Sequence, residues 1–180
     1  MLLGHSERAL LAEERLRNAA VLEIIDLSAA GETIASVTVR VRNEGAGHML
    51  PTGVTEFREM WLEVTVRDNS GNTVFSSGGT GTDGELLGDT RVFRTVFGDP
   101  EGKPTINVTE AAVMLSDHRI QPKGWIDETF VFGKNIEKPF TVHAALKYRS
   151  MKPSLVRALL GDRDYDVPII EMAEIDKIYR

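Results

Sequence analysis

The sequence predicts an antiparallel all-β domain, two sheets packed face to face, and three observations predict it. At least seven runs are rich in β-branched and aromatic residues, most with period-2 alternation. Short turns rich in Gly, Asn and Asp join them, and no long helix alternates with them. One sheet face per strand is then apolar and must be covered by another.

Residues 6–18 read as a short helix. Ser6 stands at its N-cap, Ala9, Ala12, Leu16 and Ala19 recur at helical spacing, and Glu13, Glu14, Arg15 and Arg17 fall on the wet side. So thin an apolar stripe cannot hold a helix alone, so it rests on the main body or on a missing neighbour. Residues 1–18 are thus a helical segment and 19–180 the β-domain. Strands follow over 21–27 and 34–43, with a turn over 28–32; in the second, Val37, Val39 and Val41 alternate with Thr38, Arg40 and Arg42. Residues 57–67 repeat the pattern, with Met60, Leu62, Val64 and Val66 on one face and Trp61, Glu63, Thr65 and Arg67 on the other. Asp68 to Asn72 supply a hairpin turn to a strand over 73–77. A glycine- and acid-rich loop spans 78–89, and loops of that length are often functional. Further strands are expected over 91–97, 125–132 and 140–149, with a short piece at 111–115 and a final strand over 168–172. In 140–149, Phe140, Val142, Ala144, Leu146 and Tyr148 share a face, which leaves His143 an exposed strand residue rather than a ligand. Pro153 opens one or two helical turns that Gly161 stops. The sum is an immunoglobulin-like β-sandwich with a short helix near each end.

Composition narrows the function. With 180 residues, 42% hydrophobic and 27% charged, the chain can bury one core. A net charge of −6 without a basic cluster speaks against a nucleic-acid surface. The absence of cysteine removes disulfides, zinc-thiolate sites, cysteine nucleophiles and thioether links to haem. The first eight residues have no apolar run long enough for a signal peptide or a membrane span.

The stretch from Gly45 to Gly53 is the candidate site. Three glycines, a proline and a threonine make a turn-rich loop between two strands, and His48 sits in it, an imidazole able to bind iron, zinc or copper. The plainer alternative is a histidine that only bonds the adjacent backbone. The others, His5, His118 and His143, stand at no chelating spacing, and no nucleophile elbow, phosphate loop, dinucleotide fingerprint or zincin motif occurs. The acids Asp83, Glu85 and Asp89 fit no EF-hand and read as a solvated loop. Arg58 and Asp117, the latter beside Arg119, read as loop-pinning residues. No nucleophile with an adjacent base and no carboxylate pair can be assembled, so no enzyme is expected.

The element Gly47-His48-Met49-Leu50-Pro51-Thr52-Gly53, followed by Arg58 to Val64, by Asp68 with Gly71, and by Val74 to Gly78, resembles the C-terminal β-domain of bacterial and archaeal multihaem cytochromes c. Arg91-Val92-Phe93, Asp117 with Arg119, Ile120 and Pro122, and Ala144 to Ser150 extend the likeness, which covers residues 19–172. It implies a non-catalytic module of an electron-transfer system, extracytoplasmic in the periplasm or at the cell surface, in which His48 supplies a distal axial ligand to a haem held by a partner segment or subunit. His5 is a second candidate. Without cysteine the chain attaches no haem covalently, so it is expected to be an isolated domain, a split-gene partner or a descendant that has lost haem. The competing reading is a cofactor-free saccharide- or protein-binding adhesion domain using Trp61, Trp125 and the 78–89 loop.

Overall fold

A computed structural model describes residues 6–30, 33–161, 165 and 167–180. The helix α1 (Ser6–Arg17) leads into β1 (Ala20–Ala30) and β2 (Thr33–Asn43), which pair antiparallel; β2 pairs in turn with β9 (Trp125–Glu137). The facing sheet has the order β11 (Ile170–Tyr179), β10 (Phe140–Arg149), β3 (Glu59–Asp68), β4 (Thr73–Ser77), and β5 (Arg91–Phe93) also pairs with β3. A small third sheet joins β6 (Thr95–Gly98) to β7 (Pro104–Thr105) and β8 (Val113–Asp117). The short helix α2 (Pro153–Leu160) lies between β10 and β11 in the chain.

The two main sheets bury one core between them. Val37, Val39, Val41, Phe130 and Phe132 come from the first, and Leu62, Val64, Val66, Val142, Ala144 and Leu146 from the second. Alternation in β2, β3 and β10 produces this, because consecutive residues point to opposite faces and only one face meets the other sheet. The helix α1 rests on β11 and packs Leu16 against the core, so its thin stripe is held by the main body.

Several expectations need correction. Trp61, assigned to a wet face, is fully buried: its indole Nε1 donates to the Gly78 carbonyl at 3.0 Å, and the Arg149 guanidinium lies 5.4 Å from its ring centre. Arg149, which alternation in the 140–149 run puts on the same outward face as His143, is buried with Glu59 as an ion pair. Both faces of this end of β3 are covered, because the 78–89 loop folds back over it and Arg149 donates to the Gly84 carbonyl at 2.6 Å. The run over 91–97 breaks at Arg94, with β5 joining the sandwich and β6 the third sheet. The strand expected over 125–132 continues to Glu137, and the last strand is Ile170–Tyr179 rather than 168–172. Of the turn expected over 28–32, residues 31 and 32 lie outside the described residues, while β1 itself runs on to Ala30.

Candidate functional site

The loop after β2 is fastened at both ends before it presents His48. Asn43, fully buried, donates through Nδ2 to the His48 carbonyl at 2.8 Å and to the Ile120 carbonyl at 3.1 Å. Leu50 and Ile120 exchange backbone hydrogen bonds of 2.8 and 2.7 Å, and the Pro51 that follows is buried after a cis peptide. At the start of the loop the amides of Glu44 and Gly45 both donate to the Ala19 carbonyl at 3.1 Å. A Cβ on Gly45 would stand 1.9 Å from the Asn18 oxygen, so only glycine permits this approach to the end of α1. Further along, Arg58 Nη1 donates to the Thr52 carbonyl at 2.8 Å with its guanidinium against Gly53, whose φ is +77°.

His48 is exposed, and its Nδ1 lies 2.9 Å from the Met49 carbonyl. A carbonyl only accepts, so Nδ1 carries the proton in that contact, and the neutral ring keeps its lone pair on Nε2. A backbone acceptor on one ring nitrogen is how a protein fixes the tautomer and direction of an imidazole ligand. The reading of His48 as a residue that bonds only the adjacent backbone and the reading as a ligand are therefore compatible, since the bond to Met49 uses one nitrogen and frees the other.

Beside His48 opens a cleft of about 560 Å³ between α1, which contributes Arg15 and Leu16, and the loop, which contributes Ala46 and His48, with Met60 and Tyr148 as further walls. Gly47, Pro51, Thr52 and Arg58 also line it; a Cβ on Gly47 would meet nothing within 4 Å, so no part of the described chain requires glycine there. Among the described residues neither Arg15 nor Arg58 forms an ion pair with a carboxylate. The cleft is thus an apolar slot with one imidazole and two guanidinium groups on its border. It joins residues far apart in sequence, and sequence reasoning reached His48 and Arg58 but missed Arg15, Leu16 and Tyr148.

The other candidate residues lie elsewhere. Asp117 and Arg119 form a two-toothed ion pair of 2.7 and 2.6 Å directly before Ile120, and the arginine holds the Asp117 carboxyl below its ordinary range. They brace the segment on which Leu50 hangs and do not line the cleft. His118 stacks on Phe93 with ring centres 5.3 Å apart and meets Glu128 through Nε2 at 2.6 Å; Glu128 raises its pKa. His5 lies outside the described residues. The acidic loop is occupied with α2, since Glu85 takes Arg157 at 2.9 Å and the Asp83 carbonyl takes its other amine. A platform of two exposed tryptophans does not exist: Trp61 is buried, and Trp125, 53% exposed, is covered on one face by Arg40.

Neither a family model nor a curated protein matches the sequence. Among solved structures, the fold is similar to that of a penta-heme cytochrome c552 from Thermochromatium tepidum, with a TM-score of 0.68 over 93% of this chain at 23% identity. The chain spans 41% of that protein's length, and at this identity the likeness is one of fold. A second structure, from Bacteroides fragilis, aligns with 89% of this chain and 16% of its own at 12% identity and a TM-score of 0.33, too low to bear on the fold.

Proposed function

We propose that this chain is a non-catalytic β-sandwich module of a multihaem c-type cytochrome system, working outside the cytoplasm, and that His48 supplies the distal axial ligand to a haem carried by a partner segment or subunit. The observation that carries the reading is the Nδ1 contact to the Met49 carbonyl, which leaves the Nε2 lone pair of an exposed imidazole free at the mouth of an apolar cleft. The likeness in fold to a penta-heme cytochrome points the same way.

The residues present suit the group. An imidazole nitrogen is a normal iron ligand, Leu16 and Ala46 offer apolar surface, and the open space over Gly47 leaves room for a flat partner against the backbone. Arg15 and Arg58 place positive charge where carboxylates of an incoming group would be neutralised. A bound haem would supply one-electron chemistry, and the chain's share is to hold a ligand in a fixed tautomer and to exclude water around it. With no cysteine, covalent attachment belongs to the partner.

The test is optical. The purified chain mixed with haem, or with a multihaem partner that has an open axial position, is expected to give a low-spin histidine-ligated spectrum that His48→Ala abolishes. A spectrum that His48→Ala leaves unchanged overturns the assignment.

A further inference from the structure

On the outer face of the second sheet, far along the chain from His48, His143 of β10 stands directly opposite Asp176 of β11, and its neighbour two residues on, Ala145, stands opposite Glu174. Successive strand residues alternate faces, so His143, Asp176 and Glu174 share one face, two of them as a cross-strand pair and the third on the diagonal. Their ligand atoms all lie within 4.8 Å of one another, and His143 Nδ1 is 3.0 Å from Asp176 Oδ1. Ligands around a tetrahedral cation, with bonds of about 2.0–2.2 Å, stand roughly 3.3–3.6 Å apart. Rotation of the exposed Glu174 side chain covers the difference.

The charges around the three are not spent elsewhere. Lys147, the next cation on the same face of β10, is taken by Glu63 at 2.6 Å. Among the described residues Glu174 makes no ion pair, and Asp176 makes none except with His143. Two carboxylates held this close repel each other, and a cation between them removes the repulsion. One nitrogen and two oxygens, without a thiolate, suit a first-row divalent cation better than the all-oxygen shells of calcium or magnesium.

We propose that His143, Asp176 and Glu174 form a binding site for a first-row divalent cation such as Zn²⁺, which clips the edge strand β11 to β10. The clip has a structural purpose, because β11 is paired on one side only, supports α1, and carries Met172 into the core and the wall of the His48 cleft. The site differs from the sequence-based view of His143 as an exposed non-ligand. It is half-buried, and its partners come from a strand whose exposed, charged residues give no sign of pairing.

Calorimetric titration of the full chain with Zn²⁺ alone tests this, together with thermal melting in the presence and absence of Zn²⁺. One Zn²⁺ is expected to bind and raise the melting temperature, as any ligand specific to the folded state must. His143→Gln, Asp176→Asn and Glu174→Gln are each expected to weaken binding by about tenfold or more and to lose the melting shift, while His48→Ala retains both. The Glu174 side chain makes no hydrogen bond or ion pair among the described residues, so its substitution leaves the fold undisturbed and keeps the test decisive if another variant folds poorly. Absence of binding, or binding that any one of the three substitutions leaves unchanged, marks an adventitious ion only and overturns the proposal.

Discussion

At the scale of single residues, hydrogen-bonding partners decide what each histidine can do. His48 spends one nitrogen on a carbonyl and keeps the other, whereas His118 is committed to Glu128 and lies flat on Phe93. That commitment has a pH signature. Glu128 raises the folded-state pKa of His118 above the unfolded 6.5, so the pair's stabilisation is complete below about pH 6.5 and is lost as pH rises through the folded value. The depressed Asp117 carboxyl acts in another window, losing its contribution only as pH falls below the ordinary 3.8. Melting temperature is therefore expected to decline between mildly acidic and mildly alkaline buffer, and His118→Gln to flatten that decline. An unchanged slope in the variant would count against the His118–Glu128 contact as its source.

At the scale of elements, period-2 alternation located the strands and failed where a strand is covered twice or not at all. In β10 the expected 140–149 and the observed Phe140–Arg149 coincide, because one face is continuously apolar. In β3 the pattern misplaced Trp61, since the surface that buries it comes from the 78–89 loop, which alternation within the strand cannot report. In β8, Val113 to Asp117 are all exposed, and in β11 half of the residues are, so neither carries the apolar signal that fixes a boundary. The buried end of β3 gives a direct check. Trp61→Phe keeps most of the ring but strips the donor from the Gly78 carbonyl, and is expected to cost about 1–3 kcal/mol in urea denaturation with the far-ultraviolet dichroism unchanged. A neutral result would mean that water or another donor serves that carbonyl.

At the scale of the whole molecule, the candidate site is assembled from pieces that have little in common except where the fold puts them. The helix α1, the loop after β2, Tyr148 of β10 and Met172 of β11 meet around one cleft, and the junction at Gly45 sets the distance between helix and loop. Gly45→Ala, whose Cβ would press on the Asn18 oxygen, is expected to push the two apart, destabilise the protein by about 1–3 kcal/mol and speed hydrogen exchange at the amides of Glu44 and Gly45. It is also expected to weaken the haem ligation proposed for His48 without removing the imidazole; full-strength ligation in this variant would show that α1 is not a wall of the site.

The all-β class, the two short helices, most strand positions and the loop that holds His48 can be read from the amino-acid order alone. Those properties are set by local alternation, by turn chemistry and by a run of glycine and proline, all of which act over a few residues. It takes the folded chain to show that Nδ1 of His48 faces a carbonyl, that Arg15 and Tyr148 border the same cleft, that Trp61 lies beneath a loop, and that His143 meets Asp176 and Glu174. The bond from His48 to Met49 is local but sits in a loop that Ile120 holds in place, and the others depend on contacts between separate segments, whose register is fixed by packing two sheets face to face rather than by any pattern within one segment.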